Sequence, residues 1–453
     1  MVKYFIPLIL IVFIGCKESN TPKSTYFGGK IINPKCNFVT LSDSYNFNDT
    51  IPLEKNNTFL GHYDNLKEGL YVFEHGPEHQ YVYIQPSDSI LIRLNTWDFD
   101  ESLVFSGNNA ERNNLLIESF LQYEQDEKNI AKYFHLPQNK FVHKIDSLQN
   151  IKKEIFNRYK ENNDDASEKF LSILDIALQY PLYTNLEKYA IKNATQDEPE
   201  VLADSYYDYR KKAHIDKDSL MFFGAYYRFV IEKIYNDVYQ KNCLNKSDNF
   251  TVDLFHSIDK NIASEEIKNK MLYNAVISHF FKEPNHKKKD ETFFTFFKLN
   301  TNNKQKKAVQ RIINDLKLLN TGEKLPSFNL IASDGEFVDV QNISKGKNTV
   351  ILFKNYKYAS DDWVSSRFNF LVKNNPDVNF ILVNLCDSSK RYTKNVDIKY
   401  QYTLPKGSST CNYSSSKFSR LVLVDKGGII RNGYTSLSAL NINQEINNLQ
   451  KNK

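Results

Sequence analysis

The sequence predicts a multidomain α+β protein: an N-terminal antiparallel β-sandwich, a central α-helical region and a C-terminal α/β domain. Three observations predict this fold class. Short segments rich in Val, Ile, Tyr and Phe fill residues 26–107, apolar residues at helical spacing fill residues 108–320, and near-continuous apolar runs alternate with a helical pattern in residues 321–453. A chain of 453 residues is too long for one hydrophobic core, which also indicates several domains.

The sandwich is predicted from short, evenly spaced strand patterns. Apolar and polar residues alternate most clearly in Tyr81-Val82-Tyr83-Ile84, and turn residues such as Asn33-Pro34 and Gly76-Pro77 separate the segments. Short strands at this spacing favour two packed antiparallel sheets. The predicted strands are residues 26–32, 37–41, 58–63, 69–74, 80–85 and 89–94.

The central region is predicted to be helical because its apolar residues recur at i, i+3, i+4 and i+7. The series Phe170, Ile173, Leu174, Ala177 and Leu178 is an example. Breaks between helices are predicted near Pro137, Pro181, Pro199 and Pro284. A bundle of packed helices and an array of helical repeats are both compatible with this pattern.

The C-terminal region is predicted to contain strands that are buried on both faces. Residues 350–353, 380–385 and 421–424 are almost continuously apolar, as in central strands covered on both sides. Helical spacing between residues 363 and 373 separates the first two strands, and residues 442–449 are predicted to form a last helix. Two such strands joined by a helix indicate a right-handed crossover.

The N-terminus carries the pattern of a lipoprotein signal peptide. Lys3 precedes an apolar run over residues 5–14, which is too short to span a bilayer and is typical of a signal-peptide core. The run ends in Phe13-Ile14-Gly15-Cys16, which resembles a bacterial lipobox. Residues 1–16 are therefore predicted to be the signal peptide with Cys16 as the lipidated residue, and residues 17–25 a polar tether.

The C-terminal domain resembles the thioredoxin-fold proteins of the TlpA/ResA-like type. The resemblance rests on Leu325-Pro326-Ser327-Phe328, Asp334-Gly335, Gly346-Lys347 before the first apolar strand, and the turn Asp425-Lys426-Gly427-Gly428. The N-terminal module is similar to one that precedes such domains in Bacteroidota lipoproteins. The resemblance implies a thioredoxin-like fold and, for its active relatives, thiol-disulfide exchange.

The chain departs from this family at its catalytic positions. The family carries Trp-Cys-x-x-Cys after the first strand, where this chain has Tyr358, Ala359, Ser360, Asp361 and Asp362 and no cysteine. Ser360 or Asp361 is suited to be the N-cap of the following helix. The family's cis-proline position is Ser419, for which we expect a trans peptide bond. The resemblance thus implies a degenerate active site, and no catalytic residue is predicted.

Cysteine and histidine positions give no metal or cofactor motif. Cys386 and Cys411 share the C-terminal domain and are compatible with a disulfide, with free thiols, or with an unusual redox pair. Glu74-His75-Gly76-Pro77-Glu78-His79 is interpreted as a hairpin tip rather than a metal site, because Gly-Pro interrupts a helix. No metal and no cofactor are predicted.

Charge and localisation limit the classes of partner. The 59 basic residues are nearly balanced by 54 acidic ones, which gives no electrostatic basis for binding nucleic acid. We expect an outer-membrane lipoprotein of the cell envelope, facing either the periplasm or the cell surface. Its expected partners are the membrane, through the N-terminal lipid, and other envelope proteins.

Three functions follow from the sequence as hypotheses. The first is a binding or scaffolding lipoprotein with a redox-inactive thioredoxin-like domain. The second is a thiol-disulfide oxidoreductase of the TlpA/ResA-like family that works through Cys386 or Cys411, or by a route without thiols. The third is a nutrient-capture lipoprotein that operates with an outer-membrane transporter and holds its ligand in the sandwich or among the helices.

Overall fold

The computed structural model of the protein describes residues 24–43, 46–196, 198, 200–245, 249–282, 290–355, 359–385, 392–414, 418–439 and 441–451. The signal peptide and most of the tether therefore lie outside the described residues. The chain divides into two compact units, Met1–Asn236 and Asp237–Lys453. The predicted helical region 108–320 contributes helices to both units, because the spacing of apolar residues shows which face of a helix is buried but not what covers it.

The first unit begins with a β-sandwich, as predicted. Its strands are β1 (Ser24–Ile32), β2 (Phe38–Ser42), β3 (Asn48–Pro52), β4 (Thr58–Asp64), β5 (Gly69–His75), β6 (Glu78–Ile84), β7 (Ser89–Asn95) and β8 (Val104–Gly107), with the short helix α1 (Phe99–Ser102) before β8. Among the described residues, one sheet has the order β4-β1-β7-β8 and the other β3-β2-β5-β6. Phe27 and Phe73, one from each sheet, lie in the same core with ring centroids 5.7 Å apart.

Two details of the sandwich differ from the sequence prediction. β1 and β7 are parallel neighbours, with Phe27 opposite Ile90, so the sandwich is not antiparallel throughout. β3 and β8 were not among the predicted strands. Alternation of apolar residues predicts which face of a strand is buried, but it carries no information on the direction of the neighbouring strand.

The Glu74–His79 segment forms the tip of the β5–β6 hairpin, which confirms its interpretation. His75 pairs with Glu78 across the turn, and Gly76 has a positive φ of 66°. The His75 side chain is buried: its Nε2 accepts a hydrogen bond from the Lys35 amide at 2.9 Å, and its Nδ1 lies 2.9 Å from the Phe38 carbonyl oxygen. His75 therefore serves the packing of this hairpin.

The helices that follow are α2 (Ala110–Ile130), α3 (Gln138–Asn162), α4 (Glu168–Ala194), α5 (Gly224–Asn245), α6 (Phe250–Asn261), α7 (Glu265–Lys282), α8 (Asp290–Leu299) and α9 (Asn303–Leu316). The prediction of helices for this region is confirmed. Among the described residues, no helix combines the length and the hydropathy that a bilayer crossing needs.

The predicted break at Pro181 is wrong, because α4 continues through it. Proline lacks an amide hydrogen, so one hydrogen bond of the helix is lost. The neighbouring residues Tyr180 and Leu182 are buried, and Asn185 Nδ2 donates to the Pro181 carbonyl at 2.9 Å. Tertiary packing of this buried helix therefore outweighs the local preference of proline.

The second unit contains a mixed sheet with helices on its faces. Its elements are β9 (Asn329–Ile331), β10 (Phe337–Asp339), α10 (Val340–Ser344), β11 (Thr349–Asn355), α11 (Asp361–Asn374), β12 (Asn379–Leu385), β13 (Gln401–Thr403), β14 (Arg420–Val424), β15 (Ile430–Thr435) and α12 (Ile442–Lys451). The described strands have the order β10-β9-β13-β12-β11-β14-β15. β11 and β12 are parallel, whereas β14 is antiparallel to β11 and to β15.

This arrangement is thioredoxin-like: two parallel strands joined by a helix, then an antiparallel hairpin and a last helix. The predicted fold class is confirmed. Alternate residues of each central strand enter opposite cores, so Leu352 packs with α11 and α12 while Ile351 packs with Leu325 and Val340. The continuous apolar runs of the sequence reflect this burial on both faces. The Asp425–Gly428 turn joins β14 and β15, as predicted.

Candidate functional site

The candidate site lies at the carboxyl ends of β11 and β12. The two strands are parallel neighbours, with Lys354 opposite Asn384 near their ends, and α11 begins after β11. Ligands of open α/β sheets bind outside the carboxyl ends of the strands. The start of α11 is also where the family resemblance places the redox cysteines.

Ser360 caps the N-terminus of α11. Its Oγ accepts a hydrogen bond from the Trp363 amide at 3.3 Å, which confirms the prediction that Ser360 or Asp361 suits this position. Asp361 and Asp362 follow in the first turn, where negative charge interacts favourably with the helix dipole. The first turn of α11 therefore carries one capping hydroxyl and two carboxylates.

A buried ion pair joins Asp361 to the end of β11. The Lys354 side chain is 2% exposed and the Asp361 side chain is 13% exposed, and the Lys354 ammonium donates to Asp361 Oδ1. Lys354 Nζ also donates to Thr393 Oγ1 at 3.0 Å, and the Lys394 amide lies 3.4 Å from Asp361 Oδ2. Both charges are thus paired and hydrogen-bonded, as buried charges generally must be.

Thr393 connects this ion pair to a second set of buried polar groups. Its hydroxyl donates to Asn384 Oδ1 at 2.8 Å. Gln401 holds the backbone of Thr393 with both ends of its amide, accepting from the Thr393 amide at 2.7 Å and donating to its carbonyl at 3.1 Å. The network therefore runs from the end of β11 across β12 to β13 through satisfied hydrogen bonds.

Among the described residues at the start of α11, none carries the thiol that disulfide exchange requires. Exchange needs a thiolate that attacks a disulfide sulfur and a leaving thiolate. The sequence has no cysteine between residues 349 and 363, and the described polar groups here are ammonium, carboxylate, amide and hydroxyl. The carboxylate of Asp361 is already engaged by Lys354, so it acts as a structural partner.

Ser419 and Arg420 occupy the family's cis-proline region, where the Phe418–Ser419 peptide bond is trans. The Arg420 side chain is fully buried at the start of β14. Its Nε donates to the Gly433 carbonyl at 2.6 Å, and its Nη1 donates to the carbonyls of Asp315 at 2.7 Å and Tyr413 at 2.6 Å. Burial lowers the pKa of Arg420 to about 10, so the guanidinium remains charged at neutral pH.

Several predicted site residues lie outside the described residues: Cys16, Tyr358 and Cys386. Ala359 is half-buried and packs against the core beneath α11. Cys411 is exposed in the short 3-10 helix Ser409–Ser414. The disulfide, the free thiols and the unusual redox pair therefore all stay open for Cys386 and Cys411.

Sequence reasoning missed Lys354, Asn384, Thr393, Gln401 and Arg420 as parts of this region. A signal was present for two of them, because Lys354 and Asn384 are polar residues within otherwise apolar strands. A polar residue in a strand that is buried on both faces needs a partner. Thr393 and Gln401 carry no such pattern, since only the fold brings them to β12.

Among the described residues, no group of three or more His, Cys, Asp or Glu side chains is arranged to hold a metal ion. The polar residues of the candidate site are occupied by each other. Its geometry therefore supports a structural polar network with an exposed helix beside it.

Comparisons with known proteins match only part of the chain. A protein from Bacteroides vulgatus assigned as a thiol-disulfide oxidoreductase is 22% identical, with a TM-score of 0.26 over 29% of this chain and 97% of that one. A thiol:disulfide interchange protein from Chlorobium tepidum is 18% identical, with a TM-score of 0.25 over 29% and 98%. The exposed lipoprotein thioredoxin of Streptococcus pneumoniae is 17% identical, with a TM-score of 0.21 over 27% and 99%. No family model and no curated protein matches the chain.

Proposed function

We propose that this protein is an envelope lipoprotein whose thioredoxin-like domain binds or scaffolds other envelope proteins without exchanging disulfides. One observation carries the proposal: the start of α11 is occupied by the Ser360 cap and the buried Lys354–Asp361 ion pair, where an active relative would hold its thiolate. A domain that keeps the packed cores on both faces of its sheet but has no thiol at this helix end is suited to binding rather than to disulfide exchange.

An exposed side-chain stripe on α11 supports the binding role. Trp363 is 41% exposed and Phe370 is 45% exposed, and they are seven residues apart on one face of the helix. Arg367 lies between them with its guanidinium carbon 5.6 Å from the centroid of the Phe370 ring. Tryptophan and arginine are enriched in the residues that dominate protein–protein interfaces. The stripe begins at Trp363, whose amide is bonded to the Ser360 cap. The candidate site and the stripe therefore adjoin at the N-terminus of α11.

The redox prediction is tested by insulin-disulfide reduction with the soluble chain from Lys17 onward. We expect no turnover above the reductant alone, because residues 349–363 supply no thiol. The same assay is run on Cys386→Ser and Cys411→Ser. Turnover in the parent chain that disappears in either variant would contradict the proposal and identify an unconventional redox cysteine.

The binding role is tested by pull-down from solubilised envelopes on the same preparation. The double variant Trp363→Ala/Phe370→Ala is the matched negative control.

A positive control can be built into the same helix end. The double variant Ser360→Cys/Trp363→Cys places two thiols three residues apart at the N-cap and in the first turn of α11. The helix N-terminus favours a thiolate at the first position. Activity in this variant, with none in the parent chain, would show that the assay can detect exchange on this fold.

Lipid anchoring is the second part of the proposal and rests on the Phe13-Ile14-Gly15-Cys16 sequence. We expect the full chain to fractionate with membranes and to gain the mass of its acyl chains, because two or more chains anchor a protein stably. Cys16→Ser is expected to abolish the added mass, whereas Cys36→Ser keeps it. Unchanged mass and fractionation in Cys16→Ser would overturn lipidation at this residue.

A further inference from the structure

A cavity of about 250 Å³ lies within the first unit, between β6, α1, α2, α4 and the start of α5. Much of its wall is apolar, formed by Leu116, Ile117, Phe120, Ala177, Pro181 and Phe223. An apolar cavity of about 150 Å³ holds a benzene molecule in an engineered protein. The cavity in this protein therefore has room for an aromatic or branched apolar group and roughly 100 Å³ more.

One side of the cavity carries a carboxylate, Asp100, that forms no ion pair with the described residues. Asp100 lines it, and its Oδ1 accepts a hydrogen bond from Gln80 Nε2 at 3.0 Å. The Gln80 amide is held in this orientation because its Oε1 accepts from the Tyr81 amide at 3.0 Å. Burial raises the pKa of Asp100, and Glu78, Glu101 and Glu124 raise it further. A cationic group in the cavity would relieve this repulsion.

Another side of the cavity offers donors for an anion. Arg228 lines it with its guanidinium carbon 5.7 Å from the centroid of the Tyr123 ring, and no carboxylate of the described residues forms an ion pair with it. The Tyr123 hydroxyl is buried and has Arg228 and Glu127 as neighbours. The first turn of α5 also lies here, fixed to β6 because the Tyr81 hydroxyl accepts from the Gly224 amide at 2.9 Å. An arginine guanidinium is a usual ligand of a carboxylate.

We propose that this cavity binds a zwitterion of amino-acid size with an apolar or aromatic side chain, its ammonium group at Asp100 and its carboxylate at Arg228. The apolar wall receives the side chain of the ligand. The lining residues all belong to the first unit, so this site is separate from the candidate site at α11 and goes beyond the proposed scaffolding role.

The test is isothermal titration calorimetry on the chain from Lys17 onward with three probes. L-Phenylalanine carries both charges, phenethylamine lacks the carboxylate, and 3-phenylpropionate lacks the ammonium. We expect saturable binding of L-phenylalanine and at least about tenfold weaker binding of both analogues. Asp100→Asn should weaken the binding of L-phenylalanine and phenethylamine by about tenfold and leave that of 3-phenylpropionate unchanged. Arg228→Met should weaken the binding of L-phenylalanine and 3-phenylpropionate by about tenfold and leave that of phenethylamine unchanged.

Matched controls separate binding from folding. Asp98→Asn and Arg93→Met change exposed residues that do not line the cavity and should leave all three titrations unchanged. Ala177→Leu fills the cavity without altering any charge and should abolish binding of every probe while far-ultraviolet circular dichroism stays the same. Absence of saturable binding by L-phenylalanine, or equal binding of the three probes, would overturn the proposal. None of these outcomes depends on the redox assay.

Discussion

Replacing Arg420 with methionine is expected to lower the free energy of unfolding of the second unit by about 3–5 kcal/mol. The fully buried guanidinium is the hydrogen-bond donor for the carbonyls of Gly433, Asp315 and Tyr413. Leaving a buried acceptor without its donor costs about 1–3 kcal/mol each. Relief of the buried charge offsets part of that sum. Folded domains have about 5–15 kcal/mol of stability in all, so the loss is a large share of it.

The measurement uses the two tryptophans of the chain, Trp97 and Trp363. Trp97 is 73% exposed, so Trp97→Phe leaves Trp363 as the fluorescent reporter of the second unit at little cost to the core. Urea unfolding of Arg420→Met is compared in this background with Arg311→Met, which alters an exposed arginine on α9. The control is expected to stay within about 0.5 kcal/mol of the parent. A similar result for Arg420→Met would contradict the structural role of its three hydrogen bonds.

Lys354→Met is expected to destabilise the second unit by about 3–5 kcal/mol, because it leaves the largely buried carboxylate of Asp361 without its counter-charge. Thr393 also loses the ammonium that donates to its hydroxyl. The effect is measured by the same Trp363 fluorescence in the Trp97→Phe background. Lys347→Met, at an exposed position just before β11, is the matched control and should change stability by less than about 0.5 kcal/mol.

A double-variant cycle distinguishes the ion pair from general loss of packing. Asp361→Asn removes the other charge, so Lys354→Met/Asp361→Asn contains no buried charge at this site. Residues in direct contact show interaction energies of about 0.5–3 kcal/mol. We expect the double variant to be less destabilised than the sum of the two single variants by an amount in this range. Strict additivity would mean that the two charges do not stabilise each other.

These two predictions bear on the proposed function as well as on stability. Lys354 and Asp361 occupy the helix end where the resembled family carries out its chemistry, and Arg420 follows the position of its cis-proline. In this chain both places hold buried polar contacts that join neighbouring elements. The region therefore contributes to the integrity of the domain, and the proposed binding role is assigned to the exposed stripe on α11.

The predicted part of the site was its capping residue. The sequence predicted Ser360 or Asp361 as the cap from local residue types, and Ser360 forms it. No strand or helix pattern in the sequence places Thr393 and Gln401 beside β12. Their roles depend on contacts between residues distant in sequence, which no local pattern predicts.

The same distinction applies to the first unit. Alternation predicted most strands of the sandwich, yet the parallel pairing of β1 with β7 joins segments about 60 residues apart, which no local pattern predicts. The cavity is another case, since Asp100, Tyr123, Pro181 and Arg228 belong to four separate helices. Pro181 was interpreted as a break, whereas the structure places it inside α4 and on the cavity wall.

The sequence by itself determined the order of strand-rich, helical and α/β regions, the absence of cysteines beside the first central strand, and the two candidate N-cap residues of α11. These features depend on side-chain periodicity and on neighbours within a few residues, and both can be read directly from the local sequence. Only the tertiary structure decided which polar residues became partners, where the cavity formed and which proline a helix could accept. The physical reason is burial: a charge or a polar group that is removed from water is stable only when it is hydrogen-bonded or paired, and its partner can come from any part of the chain.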